Sequence, residues 1–220
     1  MRLQSILIVA CAALSLISAP ASAQIPSGTS TLFGTNLVVN GDAESDTGAP
    51  SNNQVVKPTG WTTTGEFTAV QYGASGGFPD KTSPGPSDRG KNFFGGGNVV
   101  KSTATQTVDL SSGAQAIDSG GVTYLLAGWL CGYSGQADNA QVTVTFLNAS
   151  GSSLGSGRIG PLTPADRHGT TGFFKRTATG SVPARARAAR VVITATRFEG
   201  TYNDGYSDDV SLVLNKGGSK

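Results

Sequence analysis

The chain has 220 residues, of which 14% are charged and 37% hydrophobic, with 31 glycines and a formal net charge of +2. The near-balance of charge excludes a strongly basic nucleic-acid binder and an acidic disordered tail. The hydrophobic share suffices for a core and excludes disorder throughout.

Met1 and Arg2 precede an apolar run, Ile6 to Ile17, and Ala21-Ser22-Ala23 fits the small-x-small cleavage pattern. Residues 1–23 are therefore expected to be a signal peptide, too short in its apolar part to span a bilayer. The expected location is secreted: extracellular, periplasmic or cell envelope. Residues 24–35 form an N-terminal extension, 36–215 one domain and 216–220 a polar tail. No later segment is apolar enough for a transmembrane helix.

Within the domain the periodicity is that of strands. The expected strands are Asn36–Asn40, Glu66–Tyr72, Asn92–Phe94, Thr103–Leu110, Val122–Tyr133, Gln141–Asn148, Thr171–Thr179, Arg190–Phe198 and Asp208–Asn215. Gln141–Leu147 alternates, with Val142, Val144 and Phe146 on one face and Thr143 and Thr145 on the other. Tyr124–Leu130 is apolar on both faces, as in a central strand. Many short strands separated by Gly, Pro, Ser, Asn and Asp define an all-β chain, a two-sheet antiparallel β-sandwich. Ser45–Gly60 and Gly73–Gly90 read as long loops, functional or mobile.

The ends carry the most specific pattern. Asn36-Leu37-Val38-Val39-Asn40-Gly41-Asp42-Ala43-Glu44 is followed by Gly60-Trp61, and the chain closes on Ser207-Asp208-Asp209-Val210-Ser211-Leu212. These motifs resemble the galactose-binding-like jelly rolls, which include carbohydrate-binding modules of families 4, 9 and 22 and plant cell-wall proteins of the domain-of-unknown-function 642 family. The resemblance implies that the first and last strands are neighbours. It also implies a structural calcium where they meet, held by Glu44, Asp208 and Asp209. Strand alternation places Asp208 on the face of Val210, Leu212 and Leu214, where a carboxylate needs a partner. The alternative is that Asp208 caps a turn.

No catalytic set stands out. His168, the single histidine, lies in a loop-like stretch, and no G-x-S-x-G elbow is present. Cys131 sits in an apolar strand and reads as a small buried hydrophobe. Gly95-Gly96-Gly97 lacks the Lys-Ser/Thr of a phosphate loop.

The resemblance implies carbohydrate binding, by aromatic stacking and by polar groups on hydroxyls. Tyr72, Phe78, Tyr133, Tyr202 and Tyr206 are the aromatic residues expected to be exposed, joined by Asn203 and Asp204 in the turn between two tyrosines. The same turn could instead brace the calcium end. Trp61 and Trp129 are expected in the core. One member of each pair Phe93/Phe94 and Phe173/Phe174 is expected to face outward or into a loop. Arg185, Arg187 and Arg190 suit an anionic polymer or a solvated sheet edge. The reading is a secreted, calcium-stabilised, non-catalytic glycan-binding protein. The rivals are an adhesion protein acting through protein contacts and a secreted hydrolase using His168.

Overall fold

The structure, a computed structural model, describes residues 32–217. The leader lies outside the described residues, as do 24–31 of the extension and 218–220 of the tail. Eleven strands follow in order: β1 (Ala49–Ser51), β2 (Thr62–Thr64), β3 (Thr68–Ser75), β4 (Asn92–Gly95), β5 (Lys101–Asp109), β6 (Val122–Cys131), β7 (Asn139–Leu147), β8 (Ser153–Ile159), β9 (Phe174–Ser181), β10 (Ala188–Thr196) and β11 (Tyr206–Lys216). A short helix, α1 (Ala114–Asp118), joins β5 to β6.

The strands form a six-stranded sheet, β1-β3-β4-β11-β6-β9, and a five-stranded sheet, β2-β5-β10-β7-β8. All pairs are antiparallel except β1 with β3. Alternation puts one face of each sheet inward. Val142, Val144 and Phe146 of β7 meet Phe94, Leu126, Leu130 and Leu212 of the other sheet in one buried cluster. Trp61 and Tyr124 join this core, as does the aromatic edge between Trp61 and Phe94, with centroids 5.8 Å apart. This is an all-β sandwich of two packed, mainly antiparallel sheets.

The opening segment lies beside the closing strand. Leu37 N–H donates to Leu212 O at 2.9 Å, and Val210 N–H donates to Gly41 O at 2.8 Å. Asn36 Oδ1 accepts from Leu212 N–H at 3.0 Å. Gln106 clamps the segment from β5, accepting Val39 N–H and donating to Val39 O. Asn36–Asn40 is not a full strand, however. It makes an isolated bridge, Asn36 to Val213, before turning, because side chains take over the bonds a ladder would supply.

Three strands lack a clear sequence signal. β1 and β2 have three residues each, and β8 (SLGSGRI) is rich in Ser and Gly, which have low β propensity.

A second apolar cluster covers the outer face of the six-stranded sheet. Val70, Ala74, Phe78, Phe93, Cys131, Phe173, Tyr202 and Tyr206 are buried there, with Tyr72 and Trp129 packed against them. The long stretch Gly73–Gly90 roofs it. Phe78 lies 5.1 Å from the Tyr202 ring and 6.0 Å from Phe93, and Phe173 N–H donates to Pro84 O at 2.8 Å. Arg89 ties the roof together through the carbonyls of Pro86, Asp80 and Ser83. The stretch is a packed cover and not a free loop. Phe93 and Phe94 are both buried because β4 has an apolar cluster on each face, and Phe93, as expected of one of the pair, packs against the long loop.

Candidate functional site

A β-bulge shapes the outer face near this roof. The register of β11 on β6 shifts between Asp208, opposite Trp129, and Ser211, opposite Ala127. Asp209 occupies the bulge at φ 48°, in the left-handed region, and its N–H donates to Asp208 Oδ1 at 2.8 Å. Such an extra residue reverses the alternation that precedes it. Asp208 therefore shares the outer face with Trp129, while Val210, Leu212 and Leu214 face the core. This corrects the core-face placement that strict alternation gives. Asp208 is buried all the same, and the Tyr72 hydroxyl donates to its Oδ2 at 2.6 Å. Burial is the main cause that pushes its carboxyl up to about 8.

Beside the bulge lies a cleft of about 440 Å³. Ala127, Gly128 and Trp129 of β6 and Val210 and Ser211 of β11 line one side, with Lys175 of β9 next to Trp129 in the ladder. The opening segment, from Asn36 to Asp42, and Asp88 of the roof line the others. Trp129, expected in the core, is half-buried here because it projects from the outer face of β6. Asn36 and Asn40 are spent on holding the opening segment: Asn40 donates to Asp46 and Thr59 and accepts from Ser45 N–H. The polar side chains left to a ligand are Asp42, Asp88, Asp209, Lys175 and Ser211. Asp209 is pushed up to about 6, first by partial burial and then by Asp88 and Asp42.

The residues singled out for sugar contact fall elsewhere. Phe78, Tyr202 and Tyr206 are buried in the second cluster, which corrects their expected exposure. They read as loop residues, but the roof closes over them. Asn203 is buried, donating to Val100 O and accepting Gly205 N–H. Asp204 accepts a short hydrogen bond from the Tyr206 hydroxyl and is raised to about 6, chiefly by burial. Tyr72 is half-buried against Phe93, with the Arg89 guanidinium 5.3 Å above its ring. Tyr133 is exposed at 38%. No sequence pattern marked Trp129 as outward-facing, although its neighbours alternate. Leu126 and Leu130 lie in the core, and an odd step from either reaches the other face.

Of the three residues that the resemblance implies for calcium, Glu44 and Asp208 already hold protein hydrogen-bond donors. Glu44 Oε1 accepts the N–H groups of Lys91 and Asn92, each at 2.7 Å. Both oxygens of Asp208 take protein donors. Among the described residues no three of His, Cys, Asp and Glu are grouped to hold a metal ion. Glu44 is a brace between the opening segment and the start of β4. A Cβ on Gly90, at φ 65°, would lie 2.5 Å from the Glu44 carboxyl carbon, so the chain turns there at glycine.

His168 stands exposed in a turn at φ 52°. Cys131 is free and buried, and desolvation pushes its thiol up to about 12. A thiol so raised is a poor nucleophile. Among the described residues no helix is long and apolar enough to cross a membrane.

The outer face of the five-stranded sheet has a different character. Thr62, Thr105, Val192, Thr143 and Arg158 form one row across it, and Thr107, Arg190, Thr145 and Ser156 form another. These rows carry no aromatic side chain.

Comparison with solved structures finds the enzymatically active domain of bacteriophage CBA120 tailspike protein 4, at 17% identity and a TM-score of 0.50. That match covers 81% of this chain but 21% of the other. TmCBM61, solved in complex with β-1,4-galactotriose, is 12% identical with a TM-score of 0.43, over 83% of this chain and 99% of that one. The CBM22-1 xylan-binding domain from Paenibacillus barcinonensis Xyn10C is 14% identical with a TM-score of 0.42, over 76% and 92%. At these identities the likeness is one of fold. No family model matches the sequence, and no curated protein matches it.

Proposed function

We propose that this protein is a non-catalytic carbohydrate-binding protein, exported from the cytoplasm, that holds a glycan in the cleft beside Trp129. The observation that carries this reading is the cleft itself. It joins a half-buried indole to uncommitted carboxylates, an ammonium and a hydroxyl on a rigid sheet. Indole faces stack on the C–H face of a pyranose, and the polar groups fix its hydroxyls. The threonine rows of the other sheet offer hydroxyls without a stacking partner. The leader read from the sequence supports export.

A glycan array followed by titration calorimetry tests the reading. Trp129→Ala is expected to weaken the bound glycan by about tenfold or more, the loss of roughly 1.5–3 kcal/mol of apolar contact. Tyr133→Ala is expected to leave it unchanged. Binding that survives Trp129→Ala would remove the cleft as the site.

A second reading, adhesion through protein contacts, is favoured by one feature. Phe198 is 64% exposed beside Val100, 60% exposed, and Arg197 N–H donates to Val100 O between them. A protein partner lost on Phe198→Ala, with no glycan bound, would favour that reading.

A further inference from the structure

The charge of the cleft narrows its ligand. Asp42, Asp88 and Asp209 face Lys175, three carboxylates to one ammonium, in a chain whose formal net charge is +2. The cleft is therefore locally opposite in sign to the whole. None of the three carboxylates is ion-paired: the two salt bridges among the described residues, Arg176–Asp166 and Arg187–Asp118, lie elsewhere. Asp42 accepts its own neighbour's N–H, from Glu44 at 3.3 Å, which leaves its charge unopposed. Like charges gathered beside a half-buried Asp209 repel one another, and a cationic ligand relieves that repulsion.

The arrangement also discriminates among cations. The carboxylates come from three separate elements: the opening segment, the roof and the bulge of β11. Among the described residues they are not grouped as a metal set. Several carboxylates from separate elements suit a ligand that carries more than one positive charge. Trp129 in the same cleft supplies the flat apolar face that a pyranose ring stacks on. A lysine-rich peptide would satisfy the carboxylates but gives the indole no ring to stack against.

We propose that the cleft selects cationic amino sugars: a polymer of glucosamine units whose protonated 2-amino groups lie against Asp42, Asp88 and Asp209, with one ring on Trp129. This rests on the reading of the cleft as a glycan site. Acetylation of the nitrogen removes the charge, so the acetylated polymer is the natural comparison.

The test uses the purified protein and four probes in titration calorimetry: a glucosamine hexamer, its N-acetylated counterpart, a β-1,4-linked glucose hexamer and a lysine hexapeptide. The glucosamine hexamer is expected to bind about tenfold more tightly than the acetylated one, the order of one to two close charge contacts. Its advantage should shrink as salt is raised to about 0.5 M, where charge is screened. Asp88→Asn, on an exposed roof position, and Asp209→Asn should each reduce the advantage several-fold. Asp88→Asn is the variant least able to disturb the fold, so it decides if Asp209→Asn melts early. Equal binding of the free and acetylated hexamers, or an advantage indifferent to Asp88→Asn, overturns the proposal. Equal binding of the lysine peptide overturns the sugar class. If the neutral hexamers bind and are lost on Trp129→Ala, the cleft remains a glycan site and the amino-sugar preference alone fails. If no oligosaccharide binds, both readings fail.

Discussion

The Tyr72 hydroxyl donates to Asp208 at 2.6 Å, joining β3 to β11 beneath the roof of the outer face. Among the described residues Asp208 has no ion-pair partner. Burial raises its carboxyl from 3.8 to about 8, and nearby Asp209 and Asp42 add to the rise, while the Tyr72 hydrogen bond works against it. The phenol is in turn pushed up, first by burial and then by the charge of Asp208.

An acid raised in the folded state binds more protons folded than unfolded between the two values. Its contribution to stability is complete below about 3.8 and is lost as pH climbs through about 8. Asp204 and Asp209, each raised to about 6, act with the same sign over a lower window. Melting temperature is therefore expected to fall as pH goes from about 4 to about 8. Asp208→Asn keeps an acceptor for Tyr72 and should flatten the upper part of that fall. A melting temperature that rises over the same range would refute this account. Tyr72→Phe removes the one side-chain donor and should cost about 1–3 kcal/mol, more at high pH than at low.

Glu44 gives a second prediction. Its oxygen ties the backbone of Lys91 and Asn92 to the opening segment, while Asn92 Nδ2 donates back to Ala43 O and Asp46 O. Glu44→Ala breaks this reciprocal brace and is expected to destabilise by about 1–2 kcal/mol. A chelator or added calcium should leave the melting temperature of the parent protein unchanged. A calcium-dependent rise that vanishes in Glu44→Ala would show that the carboxylate serves a metal instead.

The pairing of the two termini was legible because both motifs resemble those of a known family, in which the end strands are neighbours. Asn36 reaches β11 through its side chain, and Leu37 and Gly41 reach it through their backbone. Gln141–Asn148 was legible because Val142, Val144 and Phe146 alternate with threonines. The bulge was not. Asp208-Asp209-Val210 reads as ordinary alternation, and only the left-handed Asp209 reveals the extra residue. The same blindness hid the cleft, since Trp129 looks like a core residue in a strand apolar on both faces. The roof was illegible for a different reason. Gly73–Gly90 has loop composition, yet Phe78 within it finds a partner cluster 15 residues on in Phe93 and far beyond in Tyr202.

That roof makes a third prediction. Phe78 is buried between Phe93, Tyr202 and Tyr206, so Phe78→Ala opens a cavity under the loop. The expected cost is about 3–5 kcal/mol, with increased proteolysis between Gly73 and Gly90. Glycan affinity of the fraction that stays folded should change little. Unchanged stability with lost binding would return Phe78 to the list of ligand contacts.

Arg167 gives the last. It is fully buried, and its guanidinium donates to Ser134 O at 2.7 Å, Thr170 O at 2.9 Å and Gln136 O at 2.7 Å. Gly132 leaves room for it, since a Cβ there would lie 2.8 Å from Nη2. The side chain is a clip between the β6–β7 turn and the loop before β9, with the charges of Asp138 and Asp204 offsetting part of its desolvation. Removing it strands three carbonyls, each worth about 1–3 kcal/mol when buried without a donor. Arg167→Met should therefore destabilise by several kcal/mol on this scale. Arg167→Lys should rescue little, because one ammonium cannot reproduce the planar fork that spans all three acceptors. Thermal denaturation of the two variants decides the matter, and a lysine variant as stable as the parent would show that charge alone suffices there.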